Sequence, residues 1–458
     1  MYRHLSKFQI FIMRQIFIIF LVFTFSFQLN AQISIPKDEL TARRNKVFQQ
    51  IGNGIAIFWG AVPTNAPTRF NQAPDLYYLS GIEDANGILL MVGRTKEVLF
   101  FSKKSTERDV RWNGPTAWTL PDIKSSNGID ELLPYEEFWD MLTFRVGSEA
   151  TIYLPLSAID QIDKSRGDVI TNELLLLRHP IKTIPFWKQA TTDIKQLFPL
   201  ATLKNINPIM NEIRVIKTAY EIEQMKMSGK IGIEGVEEAI KETKPEMYEY
   251  EIEAAASYFF IKRGARGPAY AAIVSSGPTT YTIHYEANNR QIKKEDYVLM
   301  DYGCNYNYYA SDITRVWPAS GTFTEKEEKM YLCILNARNA IIKAMKPGVT
   351  FGELKTISYE IYKKHGFADR SLSWNSYIGH FIGMSVHDVG SQNDTIRLRA
   401  GMVFNVEPVL DDPVAKRHMR LEDTVLVTDT GSLNLTEGSS AELSEIYKLM
   451  KQKGVRRN

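Results

Sequence analysis

The sequence predicts an α/β domain followed by an α+β domain, behind a short leader. Three observations predict this. Helix-like and strand-like segments alternate from Ser34 to about Asn205. A long run with helical spacing then opens a second half. In that half, several strand-like segments carry carboxylates on one face and apolar side chains on the other.

The leader comes first. "MYRHLSKFQIFIMRQ" carries Arg3, Lys7 and Arg14 and no acid. "IFIIFLVFTFSF", Ile16 to Phe27, follows without a charge, and "QLNAQ" comes next. Basic start, apolar middle and small residue are the order of a secretory signal peptide, with cleavage expected after Ala31. Leu29, at minus three, is bulkier than usual there. An uncleaved anchor is the alternative, but the run is short against the roughly 20 residues a span requires. Nothing beyond Phe27 is apolar and long enough to cross a bilayer. Residues 1–31 are therefore read as leader, 32–205 as the first domain and 206–458 as the second. The mature chain is expected to be soluble and exported, periplasmic or secreted.

Composition narrows the class. The chain has 458 residues, room for two or three domains and a substantial core. A formal net charge of +2 without a long basic run argues against a nucleic-acid partner. Two cysteines, Cys304 and Cys333, cannot build a disulfide scaffold. Free buried thiols are expected, with one bridge as the alternative.

In the first domain, "DELTARRNKVFQQI" has helical spacing. "GIAIFWG", "GILLMVG", "KEVLFFS" and "ATIYLPL" read as strands, and "TTDIKQLFPLATL" as a helix and then a strand. The second domain opens with a helical run, "MNEIRVIKTAYEIEQMKMSGKIGIEGVEEAIKET", ending before Pro245. "MYEYEIEAAASYFFIKRG" is a helix closed by Gly264. Strands follow from about Tyr270 to Val316. "EKEEKMYLCILNARNAIIKAM" returns to helix, and "TFGELKTISYEIYKKHG" is another, with Gly366 as its cap. The rest reads as strand up to a last helix in "SAELSEIYKLMKQK".

The chemistry begins in "VLMDYGCNYNYYASDITRVWP". A hairpin turning at Tyr306–Asn307 would set Asp301 directly opposite Asp312, with Cβ atoms about 4.5–5.5 Å apart. Bare carboxylates that close repel each other. The alternative is one aspartate pointing to solvent at a strand end. "GMVFNVEPVL" places Val403, Asn405 and Glu407 on one face. "MRLEDTVLVTD" does the same for Arg420, Glu422 and Thr424. Among only seven histidines, His380 and His387 share "YIGHFIGMSVHDVG", and His284 lies in "YTIHYEANN". A lone histidine there reads as a hydrogen-bonded core residue. Four carboxylates with one imidazole read as ligands for two divalent cations, since hard oxygen donors with one nitrogen suit manganese, iron, cobalt or zinc.

This ordered set resembles the dinuclear metallopeptidases of the pita-bread fold, and within them the aminopeptidase P (Xaa-Pro aminopeptidase) family. "FNQAPDLYYLSGIEDANGILLM" is similar to that family's creatinase-type N-terminal domain, and "NEIRVIKTAYEIEQM" to the helix opening its catalytic domain. The resemblance implies five metal ligands, Asp301, Asp312, His380, Glu407 and Glu422. Asp312 and Glu422 would bridge two ions, manganese first, with zinc, cobalt or iron as alternatives. It implies a metal-bridging hydroxide that attacks the Xaa-Pro bond, freeing the N-terminal residue of peptides with proline second. Glu407 would shuttle the proton. His284 and His387 would line the substrate site, and Arg420 and Thr314 would support the carboxylates. A homo-oligomer, dimer or tetramer, would form through the N-terminal domain, where Trp112 could reach a neighbour's site.

Three departures touch the substrate pocket rather than the metal ligands. The family's "HGxxH" reads "SYIGH", with Ser376 for the first histidine. Its "EPG.Y" reads "EPVLD", and the link from Glu407 to Glu422 is short. A prolidase-like Xaa-Pro dipeptidase is therefore a second expectation. A non-catalytic pita-bread binding protein, or a metal-free creatinase-like hydrolase, fits less well with a full ligand set.

Overall fold

The computed structural model describes residues 34–455 apart from 64–68, 121, 148–149, 159–160, 162–163, 165, 182, 369–376 and 439–440. The expected leader, with Ala31, and Ser376 lie outside the described residues. Lys37–Asn458 form one compact unit. No helix among the described residues is long and apolar enough to cross a membrane. Cys304 and Cys333 are free and buried, as expected.

Six strands build the first sheet: β1 (Ile55–Trp59), β2 (Ile88–Val92), β3 (Glu97–Ser102), β4 (Glu131–Pro134), β5 (Thr151–Leu154) and β6 (Thr202–Asn205). Their order is β4-β3-β2-β1-β5-β6. β1, β2 and β3 are antiparallel neighbours, and β4, β5 and β6 join in parallel. β1 is buried along its whole length, so it reads as an unbroken apolar run. β4 is absent from the sequence reading because none of its residues is buried, leaving no apolar pattern.

The long helical run is two helices, Asn207–Val215 and Ala219–Glu242. The expectation of one continuous stretch fails at Thr218. Its hydroxyl accepts from the Glu221 N–H, and the Glu221 carboxylate accepts from the Thr218 N–H. This reciprocal capping box starts a new helix there.

The second half holds β7 (Gly267–Pro268), β8 (Ile273–Ser276), β9 (Tyr297–Asp301), β10 (Cys304–Tyr306), β11 (Tyr309–Ala310) and β12 (Thr314–Pro318). After two helices, Glu325–Ala344 and Phe351–Lys364, come β13 (Gly379–Phe381), β14 (Val403–Val406), β15 (Val409–Asp412), β16 (Arg417–Arg420), β17 (Asp423–Val427) and β18 (Ser432–Asn434). The sheets run β12-β9-β8, β11-β10-β7, β13-β14-β17-β18 and β15-β16. An isolated bridge between Thr314 and Glu422 ties the first of these to the later strands.

β9 is buried on both faces. Val298 and Met300 pack with Val236, Ile240, Ile252 and Phe260 of the helices Ala219–Glu242 and Glu249–Lys262. Tyr297 and Leu299 pack with Tyr331, Ile334, Leu410 and Met419. Each fully buried aliphatic side chain contributes about 1.5–3 kcal/mol. Asp301 continues the Tyr297–Leu299 face, so the core itself carries this carboxylate to its buried position.

The two glutamate segments are not continuous strands. "GMVFNVEPVL" divides into β14 and β15, and "MRLEDTVLVTD" into β16 and β17. Each chain changes sheet at its break, and Pro408 has no N–H to continue a ladder. Glu407 and Glu422 sit at these joints, where two sheets converge.

Candidate metal centre

The hairpin register differs from the expectation. Asp301 pairs with Thr314, not Asp312, and Tyr306 pairs with Tyr309. The turn falls at Asn307–Tyr308, whose φ values are 51° and 72°. Two positive φ values are what a tight hairpin turn requires. Tyr308 is an unusual residue for that position, but its ring stacks on Tyr77 at 3.6 Å and its hydroxyl accepts from the Gln72 N–H at 2.9 Å. These contacts with the first half hold the turn one residue later than local sequence suggests. Asp312 then lies diagonal to Asp301, two residues from its partner. A two-residue slip preserves the face, so both carboxylates still point the same way.

His380, Asp312 and Glu422 form the centre of the cluster, each buried, with their ligand atoms all within 4.8 Å of one another. The imidazole Nε2 of His380 lies 3.3 Å from Asp312 Oδ2, 3.4 Å from Glu422 Oε1 and 3.9 Å from Glu407 Oε2. Its Nδ1 lies 3.1 Å from the Phe381 carbonyl, which can only accept, so Nδ1 carries a proton. That leaves Nε2 turned to the carboxylates, the orientation of a metal-binding histidine. Gly379 makes the approach possible. It has φ +129°, and a Cβ there would sit 1.7 Å from the Asn405 carbonyl oxygen.

A second ring of side chains fixes the carboxylates. Arg420 donates to Asp301 Oδ2, and its Nη1 donates to Glu407 Oε1 at 3.2 Å. Its Nε donates to the Thr314 hydroxyl at 3.1 Å, which donates onward to Glu422 Oε2 at 2.8 Å. Asn405 donates to Glu422 Oε1 at 3.0 Å. Arg420 is buried, so it is not a surface ion pair. Behind Glu422, Asp423 is clasped by Arg315 at 2.8 Å and Arg338 at 2.5 Å.

Two tyrosines that the sequence did not single out also reach the cluster. The Tyr270 hydroxyl is 2.6 Å from Asp301 Oδ1 and 2.5 Å from Asp312 Oδ1. The Tyr377 hydroxyl donates to Glu407 Oε2 at 2.7 Å. Tyr270 lies before β8, far from the motifs, and only tertiary folding brings it in. Tyr377 had one signal, its place immediately after Ser376 in "SYIGH".

The electrostatics describe a site short of positive charge. Burial raises all four carboxyl groups, Asp301 to about 6 and Glu407 to about 7. Repulsion from Glu422 adds to both of those, while Arg420 opposes it. Burial disfavours charge on His380 as well, but its hydrogen bonds to Asp312 and Glu422 outweigh this and raise it. Four buried oxygen donors and one imidazole are therefore suited to hard divalent cations, which would supply the missing charge.

His387 stands beside this cluster, with its ring stacked on His380. The residue keeps some solvent exposure, but desolvation of its stacked ring, followed by repulsion from His380, His284 and Arg420, lowers it to about 2, so it is neutral at ordinary pH. His284 is exposed, in the turn after Gly277–Tyr281. Trp112 is 75% exposed on the helix Glu107–Asn113, which contrasts with the usual burial of tryptophan. Asp411, at the missing tyrosine of "EPG.Y", pairs with His418 at 2.6 Å.

A buried carboxylate–imidazole cluster at the junction of these sheets has the donor set of a metal-dependent hydrolase. Residues 223–429 match metallopeptidase family M24, and residues 40–153 match the aminopeptidase P N-terminal domain. The Xaa-Pro dipeptidase of Pyrococcus furiosus is 34% identical over 247 residues, covering 54% of this chain and 70% of that protein. The Xaa-Pro aminopeptidase of Escherichia coli is 27% identical over 455 residues, covering 91% of this chain and 98% of that one. A solved structure of Escherichia coli aminopeptidase P with the inhibitor Pro-Leu superposes with a TM-score of 0.74 at 26% identity, covering 91% and 98% of the two chains. The chain belongs to metallopeptidase family M24, with the pita-bread catalytic fold and the creatinase-type N-terminal domain, and is a metallo-aminopeptidase.

Proposed function

We propose that the chain is an exported Xaa-Pro aminopeptidase that releases the N-terminal residue from peptides with proline in second position. The observation that carries this is the convergence of Asp312, Glu407 and Glu422 on His380 Nε2, with Asp301 joined to them through Tyr270 and Arg420, within a chain that spans 98% of the Escherichia coli Xaa-Pro aminopeptidase. These five residues would hold two divalent cations, with manganese as the first candidate. Bound there, such ions offset the carboxylate repulsion and make water a stronger acid and so a nucleophile at neutral pH.

The chain's own residues then have distinct tasks. Glu407 takes the proton released as the water oxygen bonds to the scissile carbonyl carbon. It returns that proton to the proline nitrogen as the C–N bond breaks. His387, neutral and stacked on His380, donates an N–H to the developing oxyanion. His284, exposed at the edge, donates to the peptide carbonyl. Arg420 keeps Asp301 and Glu407 in fixed orientation.

A metal-free preparation supplied with manganese should cleave Xaa-Pro-Yaa peptides, and Asp301→Ala protein should not. A purified chain that binds no divalent metal would end this reading. The similarity to the Pyrococcus furiosus Xaa-Pro dipeptidase favours a second one, a dipeptidase. Strong preference for Xaa-Pro over Xaa-Pro-Yaa would select it. Export rests on the leader, and a mature N-terminus at Gln32 outside the cytoplasm would support it. Exposed Trp112 fits a homo-oligomer in which a neighbour contributes to the site. Light scattering on wild type and Trp112→Ala would test that.

A further inference from the structure

We propose that Tyr377 is a positioning residue for Glu407, locking the plane of its carboxylate so that one lone pair on each oxygen stays available for metal and proton. This rests on the reading of Glu407 as ligand and proton carrier. Glu407 accepts at both ends: Arg420 reaches Oε1 at 3.2 Å, and Tyr377 reaches Oε2 at 2.7 Å. A carboxylate held by one donor can still rotate about its terminal torsion, which is broad and roughly two-fold. Held by donors at opposite oxygens, it cannot turn without breaking a bond. Each oxygen keeps a second lone pair.

The backbone is arranged to deliver this phenol. The Glu407 N–H bonds the Ile378 carbonyl at 2.9 Å, which places Tyr377 beside the joint where Glu407 leaves β14. Gly379, at φ +129°, opens β13 two residues further on and pairs with Val406, next to Glu407.

The test compares Tyr377→Phe with wild type, alone and in a Glu407→Ala background. The readouts are Mn2+ affinity of the metal-free protein by calorimetry, kcat and KM on an Xaa-Pro-Yaa peptide, and the thermal midpoint. Tyr377→Phe should weaken Mn2+ binding about 10-fold and lower kcat about 10–100-fold, the usual effect of removing a ligand's hydrogen-bond partner. KM should change little, and the midpoint should stay put. In the Glu407→Ala background Tyr377→Phe should leave Mn2+ affinity unchanged. Unchanged affinity and kcat in the single variant would overturn the proposal. So would an equal effect with Glu407 absent, or a rise confined to KM. If wild type cleaves no Xaa-Pro peptide, the functional reading fails, and the calorimetric comparison still decides Tyr377.

Discussion

His387 lies flat against His380, with ring centroids 3.8 Å apart and planes 8° from parallel. Two imidazoles stacked this closely cannot both be charged, and desolvation of the ring, with the positive neighbours His380, His284 and Arg420, makes His387 the neutral one. Its lowered pKa of about 2 keeps it uncharged throughout the working range. His387→Ala should lower kcat about 10²–10³-fold, the cost of losing one oxyanion donor. Mn2+ affinity should change far less. A variant with full kcat would remove His387 from the chemistry.

Metal binding should be steeply pH-dependent. Asp301 and Glu407, at about 6 and about 7 without metal, must lose protons to bind it. Affinity should therefore fall as pH drops through this range, with protons released on binding. The linkage sign for the metal-free fold follows. Both carboxyls are raised above their unfolded values, so the folded state binds more protons between pH 4 and 7. Their contribution to stability is present at low pH and lost as pH rises through about 6 to 7. Burial makes the largest contribution to both shifts, and Arg420, Glu422, His380, Asp312 and Tyr270 face these groups and adjust them. Thermal midpoints with and without manganese should diverge as pH rises, and parallel curves would contradict this.

Arg420 reaches Asp301, Glu407 and Thr314 with three different nitrogens. Lysine offers one nitrogen and no fork. Arg420→Lys should keep the charge yet lose about 10-fold or more in kcat or Mn2+ affinity, as disturbed ligand support does. Wild-type values for both would show that charge alone suffices.

Asp388 follows His387 and is buried between Arg214 at 2.5 Å and Lys217 at 3.2 Å. Arg214 also binds Asp75 at 2.7 Å, on the helix Pro74–Ser80 of the first half. Asp388→Asn leaves buried cations undercompensated and should cost about 3 kcal/mol in urea unfolding of the metal-free protein. Burial pushes the Asp388 carboxyl up, but Arg214 and Lys217 outweigh this and lower it. Its contribution is therefore present above the unfolded pKa and lost as pH falls through the folded one. The variant should lack that part of the acid destabilisation. Equal stability and equal acid sensitivity would refute the role.

The sequence by itself determined the buried strands and the faces they present. Residues two apart share a face regardless of partner, so Asn405 and Glu407 could be placed together from spacing alone, whereas the pairing of Asp301 with Asp312 needed a hairpin register that the structure shifts to Thr314. The helix ends legible in "KPG" and Gly366 depend on local backbone preference in the same way. Register was not local. Tyr308 takes a turn position that its stacking on Tyr77 and its bond to Gln72 support, and those partners lie more than two hundred residues away. The breaks after β14 and β16 were equally hidden, because alternation continues through them while the chain changes sheet. Tyr270 and Tyr377 became site residues only when folding set each phenol within hydrogen-bond reach of a carboxylate. Side-chain type and spacing name the donors of a metal site, and distant contacts decide how each donor is held.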